Sequence, residues 1–333
     1  MKFAVPLTAA AILVAHAALA DEPPTLRFAN TSPQTSPTWK MQWEPWVQKV
    51  EKDADGALKI QVYFGGTLAT MANVYDRLTN GVADLGYGIF STIRGKFPAT
   101  GVVELPLDVN GRQGSIAFWN LYASGLIAAE YGDIHPLELN VYPQTGIHFS
   151  KPVHKLEDVK GLKIGANGKL AADVVSRLGA APVTMDPTQL YESLQRHLVS
   201  GVTMAWTGVL QYKVAEVTSY HLDYAFGSSG GFLFMNKDSY AKLAGKAKEA
   251  IDKNSGLILS RGFGEVLDRI AVEQVDTVKK MQGHTIARLD AKERARWDKV
   301  VTPVIDAWIA ETPNGAAIWT AYKKEVEKAK ATN

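Results

Sequence analysis

The string Gly227-Ser228-Ser229-Gly230-Gly231 fits G-x-S-x-G, the pattern that seats a serine nucleophile on a sharp turn between a strand and a helix. The apolar run Phe232-Leu233-Phe234-Met235 that follows has the character of a strand, so the Gly/Ser stretch reads as a crossover loop; a hydrolase using Ser229 stays open as a second class. The seven histidines hold no H-x-x-x-H pair, and His148 and His154 bracket a proline-containing stretch, so they read as surface or capping residues. The absence of cysteine removes thiolate metal sites, iron-sulfur clusters, disulfides and thiol nucleophiles together. Gly86-Tyr87-Gly88 lacks the third glycine of a dinucleotide loop, and no G-x-x-x-x-G-K-[ST] occurs. The 36 Lys+Arg and 34 Asp+Glu are spread without a basic block, which argues against a nucleic-acid partner. No cofactor and no metal are expected.

What remains is recognition without chemistry. Trp39 follows the loop after the first strand, Tyr87 and Phe90 end the third, and Trp206 ends an extended segment with polar Thr207 behind it. Ligands of open α/β sheets bind outside the carboxyl ends of the strands, which would bring these four aromatics to one cleft; each alone also suits core packing.

The elements that must position them follow from periodicity. Segments 26–30, 58–64 and 84–88 read as strands, with helices from 38 to 55 and 71 to 80 between them; the pattern restarts with strands at 144–150, 162–166 and 181–185 and helices at 169–178 and 189–198. This order predicts an α/β fold of two lobes on mainly parallel sheets. Apolar residues keep a helical period from 246 to 282, a helix long enough to cross both lobes, with Gly256, Gly262 and Gly264 as bend points. Residues 1–20, with Lys2, an apolar run and Ala18-Leu19-Ala20, read as a signal peptide, and a cysteine-free exported chain suits a bacterial periplasm. The expected organisation is lobe I over 21–145 with 230–265 returning to it, lobe II over 146–229 with 266–310 returning to it, and a C-terminal helix over 311–333.

At several of these segments the chain resembles the periplasmic substrate-binding components of tripartite ATP-independent periplasmic (TRAP) transporters, the DctP-like family. The similar stretches are 81–88 (GVADLGYG), Lys96-Phe97-Pro98, Glu104-Leu105-Pro106, 156–164 (LEDVKGLKI), 178–185 (LGAAPVTM), 191–195 (YESLQ) and Met235-Asn236-Lys237. The resemblance implies a Venus-flytrap fold with a long helix spanning both lobes, a solute held between them, delivery to a small and a large membrane subunit, and a monomer. A receptor for an ATP-driven importer or a sensor kinase is the alternative within the same class.

Two departures bear on the ligand. Where the resembled family carries an arginine that pairs with a substrate carboxylate, this chain has Gly165, and where it carries an acidic residue and glycine the chain reads Gly201-Val202-Thr203-Met204. Arg94 and then Lys169 are the candidate replacement cations, and backbone N–H groups near Asn167 and Gly168 are a further anion contact. The space vacated at Gly165, the aromatics, and polar contacts from Thr31, Gln144 and Thr207 lead to the expectation of a bulkier, partly apolar or aromatic organic acid.

Overall fold

The computed structural model describes residues 23–93 and 95–332; the expected signal peptide and Arg94 lie outside the described residues. Eleven strands are present among them: β1 (Thr25–Asn30), β2 (Lys59–Phe64), β3 (Leu85–Ile89), β4 (Ile134–Val141), β5 (Thr145–Phe149), β6 (Lys163–Ala166), β7 (Ala181–Thr184), β8 (Gly201–Ala205), β9 (Tyr220–Leu222), β10 (Gly230–Asn236) and β11 (Thr285–Ala287). They form two sheets, ordered β2-β1-β3-β10-β4 in lobe I and β11-β9-β5-β8-β6-β7 in lobe II. Leu85, Tyr87 and Ile89 lie on one face of β3, against Trp43, Trp46 and Phe263, and the neighbouring glycines 86 and 88 allow Val74 and Leu78 to press on the other.

The sheets are mainly parallel, as expected, each with one reversed strand. β10 is antiparallel to β3 and β4, and β5 is antiparallel to β8 and β9. The reason is topological: these two strands follow the crossings between lobes, through residues 142–144 and 223–229, so they enter their sheets from the cleft end, where their neighbours finish.

The helix Leu257–Lys280 makes a third connection, 24 residues or about 36 Å long. Leu259, Phe263, Val266, Leu267 and Ile270 belong to the lobe I core with Trp43 and Tyr87, whereas Ala271 and Val278 belong to the lobe II core with Val202, Trp206 and Val209. The single helix expected over 246–282 is in fact two, because Gly256 takes a φ of +79° and separates Gly245–Lys253 from Leu257–Lys280. Gly262 and Gly264 do not interrupt it. Gly264 lies where the helix meets the start of Gly111–Ala123: a Cβ there would be 2.5 Å from the Gly111 carbonyl oxygen and 2.7 Å from the Arg112 Cα. Asp268, one turn on, accepts from the Gly111 and Arg112 N–H groups at 2.6 and 3.0 Å, supplying acceptors to donors that have none inside their own helix. The C-terminal helix Gly315–Ala331 also packs on Gly111–Ala123, and Trp308 donates to the Pro98 carbonyl at 3.1 Å.

The two helix glycines make opposite predictions. Gly264→Ala should lower the unfolding free energy by about 1–3 kcal/mol, since backbone cannot move aside as a side chain can. Gly262→Ala, with nothing within 4 Å of the added Cβ, should raise it by up to about 1 kcal/mol. Urea unfolding of both variants checks this; equal effects would show that the helix contact is not the constraint it appears geometrically.

Candidate functional site

A cavity of about 90 Å³ lies between the lobes. One water needs roughly 10–15 Å³ on the same measure, so there is room for several waters or one small ring. Lobe I supplies Ser32, Thr38, Met71, Tyr87, Ile89 and Glu104; the crossings supply Tyr142 and 226–229; lobe II supplies Thr145, Asn167, Ala171, Val174, Thr203, Met204, Thr207, Gln211 and Tyr212. No Lys, Arg or His lines it among the described residues. The lobes touch beside the cavity, where a Cβ on Gly168 would be 2.9 Å from that of Ser91 and one on Gly101 3.5 Å from Leu170.

The polar groups of this wall are held by second contacts. Tyr87 and Tyr142 share a hydroxyl–hydroxyl hydrogen bond, and burial holds both hydroxyls well above the ordinary tyrosine range. The long helix grips the lobe II wall through Gln274, which donates to the Thr207 carbonyl at 2.6 Å and accepts from the Leu210 N–H at 2.8 Å. Glu104 sits beside the returning crossing, whose Gly227 (φ +118°) has no room for a Cβ against the Glu104 carbonyl. Burial pushes the Glu104 carboxyl up to about 7 against the opposing pull of the Gly230 N–H, and its Oε1 is inaccessible and without a partner.

Among the residues singled out from sequence, Tyr87, Asn167 and Thr207 are brought together on this wall. Thr31 stands behind it, donating to the Tyr87 carbonyl at 3.0 Å and contacting Met71. Trp39 lies in the lobe I core edge-on to Phe64 at 4.7 Å, its Nε1 unpartnered, and Phe90 lies among Phe97, Phe118 and Phe232. Trp206 packs on His148 and His221 in lobe II. Gln144 donates to the Leu107 and Val109 carbonyls and to Ser228, bracing the outgoing crossing. Lys169 is held by Asp173 and Glu311 at 3.0 and 3.1 Å on the exterior.

Gly165 vacates no space in the cavity. Its missing Cβ points at Met185 Sδ and Val202 Cγ1, both 3.0 Å away, and Leu190 closes the remainder, because alternation along β6 turns position 165 toward the helix-covered face. The departure at Thr203 and Met204, by contrast, does face the cavity. Ser229 also lines it, but a strand follows it directly where a nucleophile elbow requires a helix.

Periodicity gave no sign of Glu104, Tyr142 or Met204 as wall residues, and it misplaced the histidines. His148 and His221 are fully buried and joined Nδ1 to Nδ1 at 2.8 Å; His221 continues to His284 at 3.0 Å, and His148 reaches the Met204 carbonyl at 3.1 Å. Burial pushes His148 down to about 4, and burial with the neighbouring imidazoles His148 and His284 pushes His221 down to about 3.

Two lobes, two crossings, a bridging helix and a polar-rimmed cavity between the lobes define a bilobal solute-binding protein. Residues 28–312 match the bacterial extracellular solute-binding proteins, family 7 (DctP), and the chain belongs to that family. It is similar to a TRAP solute-binding protein from Rhodoferax ferrireducens T118 crystallised with copurified benzoate: 26% identity, 93% of this chain and 99% of that one, TM-score 0.87. A marine-metagenome TRAP solute-binding protein described as specific for aromatic acid ligands, in complex with 3-hydroxybenzoate, has the same fold: 22% identity, 92% and 99% covered, TM-score 0.87. The curated relative TsaT of Comamonas testosteroni, named an outer membrane transporter protein, is 26% identical over 300 residues, 86% of each chain.

The histidine chain generates a pH prediction. His148 and His221 are neutral when folded but titrate near 6.5 when unfolded, so the unfolded chain binds more protons between about pH 6.5 and 4. Stability from this source is therefore fully present above about pH 6.5 and is lost as the pH falls through that window. Urea midpoints from pH 7.5 to 4.5 should drop more steeply for the wild type than for His148→Gln; parallel slopes would place the acid sensitivity elsewhere.

Proposed function

We propose that this chain is the periplasmic receptor of a TRAP transporter for an aromatic monocarboxylate. The lobes close on the solute, and the closed form delivers it to a small and a large membrane subunit. The observation that carries the ligand class is the wall itself: apolar and aromatic groups (Met71, Tyr87, Ile89, Met204, Phe226) with neutral hydrogen-bonding groups between them and no cation among the described residues. A C4 dicarboxylate brings two full charges, whose desolvation such a wall compensates poorly. A ring with one carboxylate buries its apolar faces and leaves a single charge for neutral donors. Asn167 and the free N–H groups of the first turn of Lys169–Arg177 are the proposed carboxylate contacts, with Thr207 and Thr203 beside them. The benzoate and 3-hydroxybenzoate held by the two similar structures support the ring. The proposed mature protein begins after residue 20 and acts as a monomer.

Calorimetry should show benzoate-type acids binding with a Kd on the order of micromolar or tighter, and succinate at least about 100-fold more weakly. Small-angle scattering should show compaction with the aromatic acid, because only the closed state lets one ligand touch both lobes. Preferential binding of succinate, or an unchanged scattering profile at saturating aromatic acid, would overturn the proposal.

A further inference from the structure

Glu104 is the one carboxylate on the cavity wall among the described residues, and the solute-capture reading gives it no role. The residue is partly exposed as a whole, yet its Oε1 is cut off from solvent and accepts nothing from the protein. The backbone of Glu104 is fixed against Gly227 and Ser228, its carbonyl accepting the Ser228 N–H at 3.3 Å, so the side chain springs from a rigid point. A buried carboxyl oxygen without a donor is costly, so this carboxyl has acceptor capacity that the protein leaves unfilled. It also repels a ligand carboxylate, which turns that group toward the opposite lobe and leaves the far side of the ring at Glu104.

We infer that Glu104 is a specificity residue that accepts a hydrogen bond from a donor substituent on the ring, making hydroxylated aromatic acids the preferred solutes over their unsubstituted parents. This rests on the aromatic-acid reading above and narrows it. A site built to accept a hydroxyl proton rejects the analogue that lacks it, since the acceptor is then left buried and unpaired. Among the described residues, the titratable groups that share the wall with Glu104 are the tyrosines 87, 142 and 212, all held neutral by burial, so near neutral pH Glu104 alone among them changes charge. With its carboxyl held near 7, the ionised and better acceptor form grows in as the pH rises through neutrality, while a benzoic carboxylate near 4 and a phenol near 10 stay fixed.

The test is calorimetric titration of the mature protein with benzoate and 3-hydroxybenzoate at pH 6 and pH 8, for wild type, Glu104→Gln and Glu104→Leu, with circular dichroism confirming the fold of each. The wild type should prefer 3-hydroxybenzoate by about tenfold or more at pH 8 and by less at pH 6. Glu104→Gln should keep part of the preference and lose its pH dependence. Glu104→Leu should bind the two acids alike, with benzoate affinity maintained or improved. Equal wild-type affinities, or a preference that survives in Glu104→Leu, would overturn the assignment while leaving the aromatic-acid reading standing. Failure of both acids to bind the wild type would overturn both.

Discussion

Backbone against backbone at Gly264 and Gly111 is the contact on which the arrangement of the lobes depends. Two helices approach this closely only where neither carries a side chain, and Asp268 then spans to the Gly111 and Arg112 N–H groups. One end of the long helix is thereby fixed to lobe I, and its other end carries Ala271, Gln274 and Val278 into lobe II. A rigid rod anchored in one lobe and gripping the wall of the other by side-chain hydrogen bonds couples the cavity to the relative position of the lobes.

The cavity follows from how the crossings are made. Both pass through its floor, so Tyr142 and 226–229, which belong to neither sheet, line the site together with Thr145 at the start of β5. Their backbones are braced: Thr145 donates to the Gly227 carbonyl at 2.8 Å, Tyr142 to the Ser229 carbonyl at 2.9 Å, and Gln144 ties the outgoing strand to the Leu107 region. The glycines and serines that resemble a nucleophile elbow are explained by this bracing. Gly227 passes the Glu104 carbonyl with no room for a side chain, and Gly231 lies where Asn140 fills the space.

Charge sets the remaining constraint. Lobe II buries two neutral imidazoles and lobe I a carboxyl at Glu138 that burial holds well above its usual range, so both cores carry polar groups kept uncharged by desolvation. The cavity continues this pattern, its aromatic and hydroxyl groups uncharged and Glu104 balanced near neutrality. A binding protein that must release its cargo gains from such a wall: contacts to neutral donors are individually modest, and none is a buried ion pair whose breaking would be slow.

Much of this was legible from the chain alone. Periodicity located β1, β2, β3, β6 and β10, and the order of short motifs, from GVADLGYG to the Met-Asn-Lys after the β10 core, indicated the family. Those features are local: alternation, caps and turn glycines are set by residues a few positions apart. The direction of β5 and β10, the break at Gly256 and the faces presented by the aromatics were not local. Tyr87 reached the cavity wall while Phe90, three residues on, went into the core because Phe118 and Phe232, far away in sequence, surround it. Gly165 faces Met185 and Val202 only because β6 is paired between β7 and β8, and a strand read by itself has two equivalent faces. Sequence determined which elements form and which chemistry is lacking. Only the tertiary structure decided which side of each element meets the solute, since burial is a property of contacts between segments that the chain order does not specify.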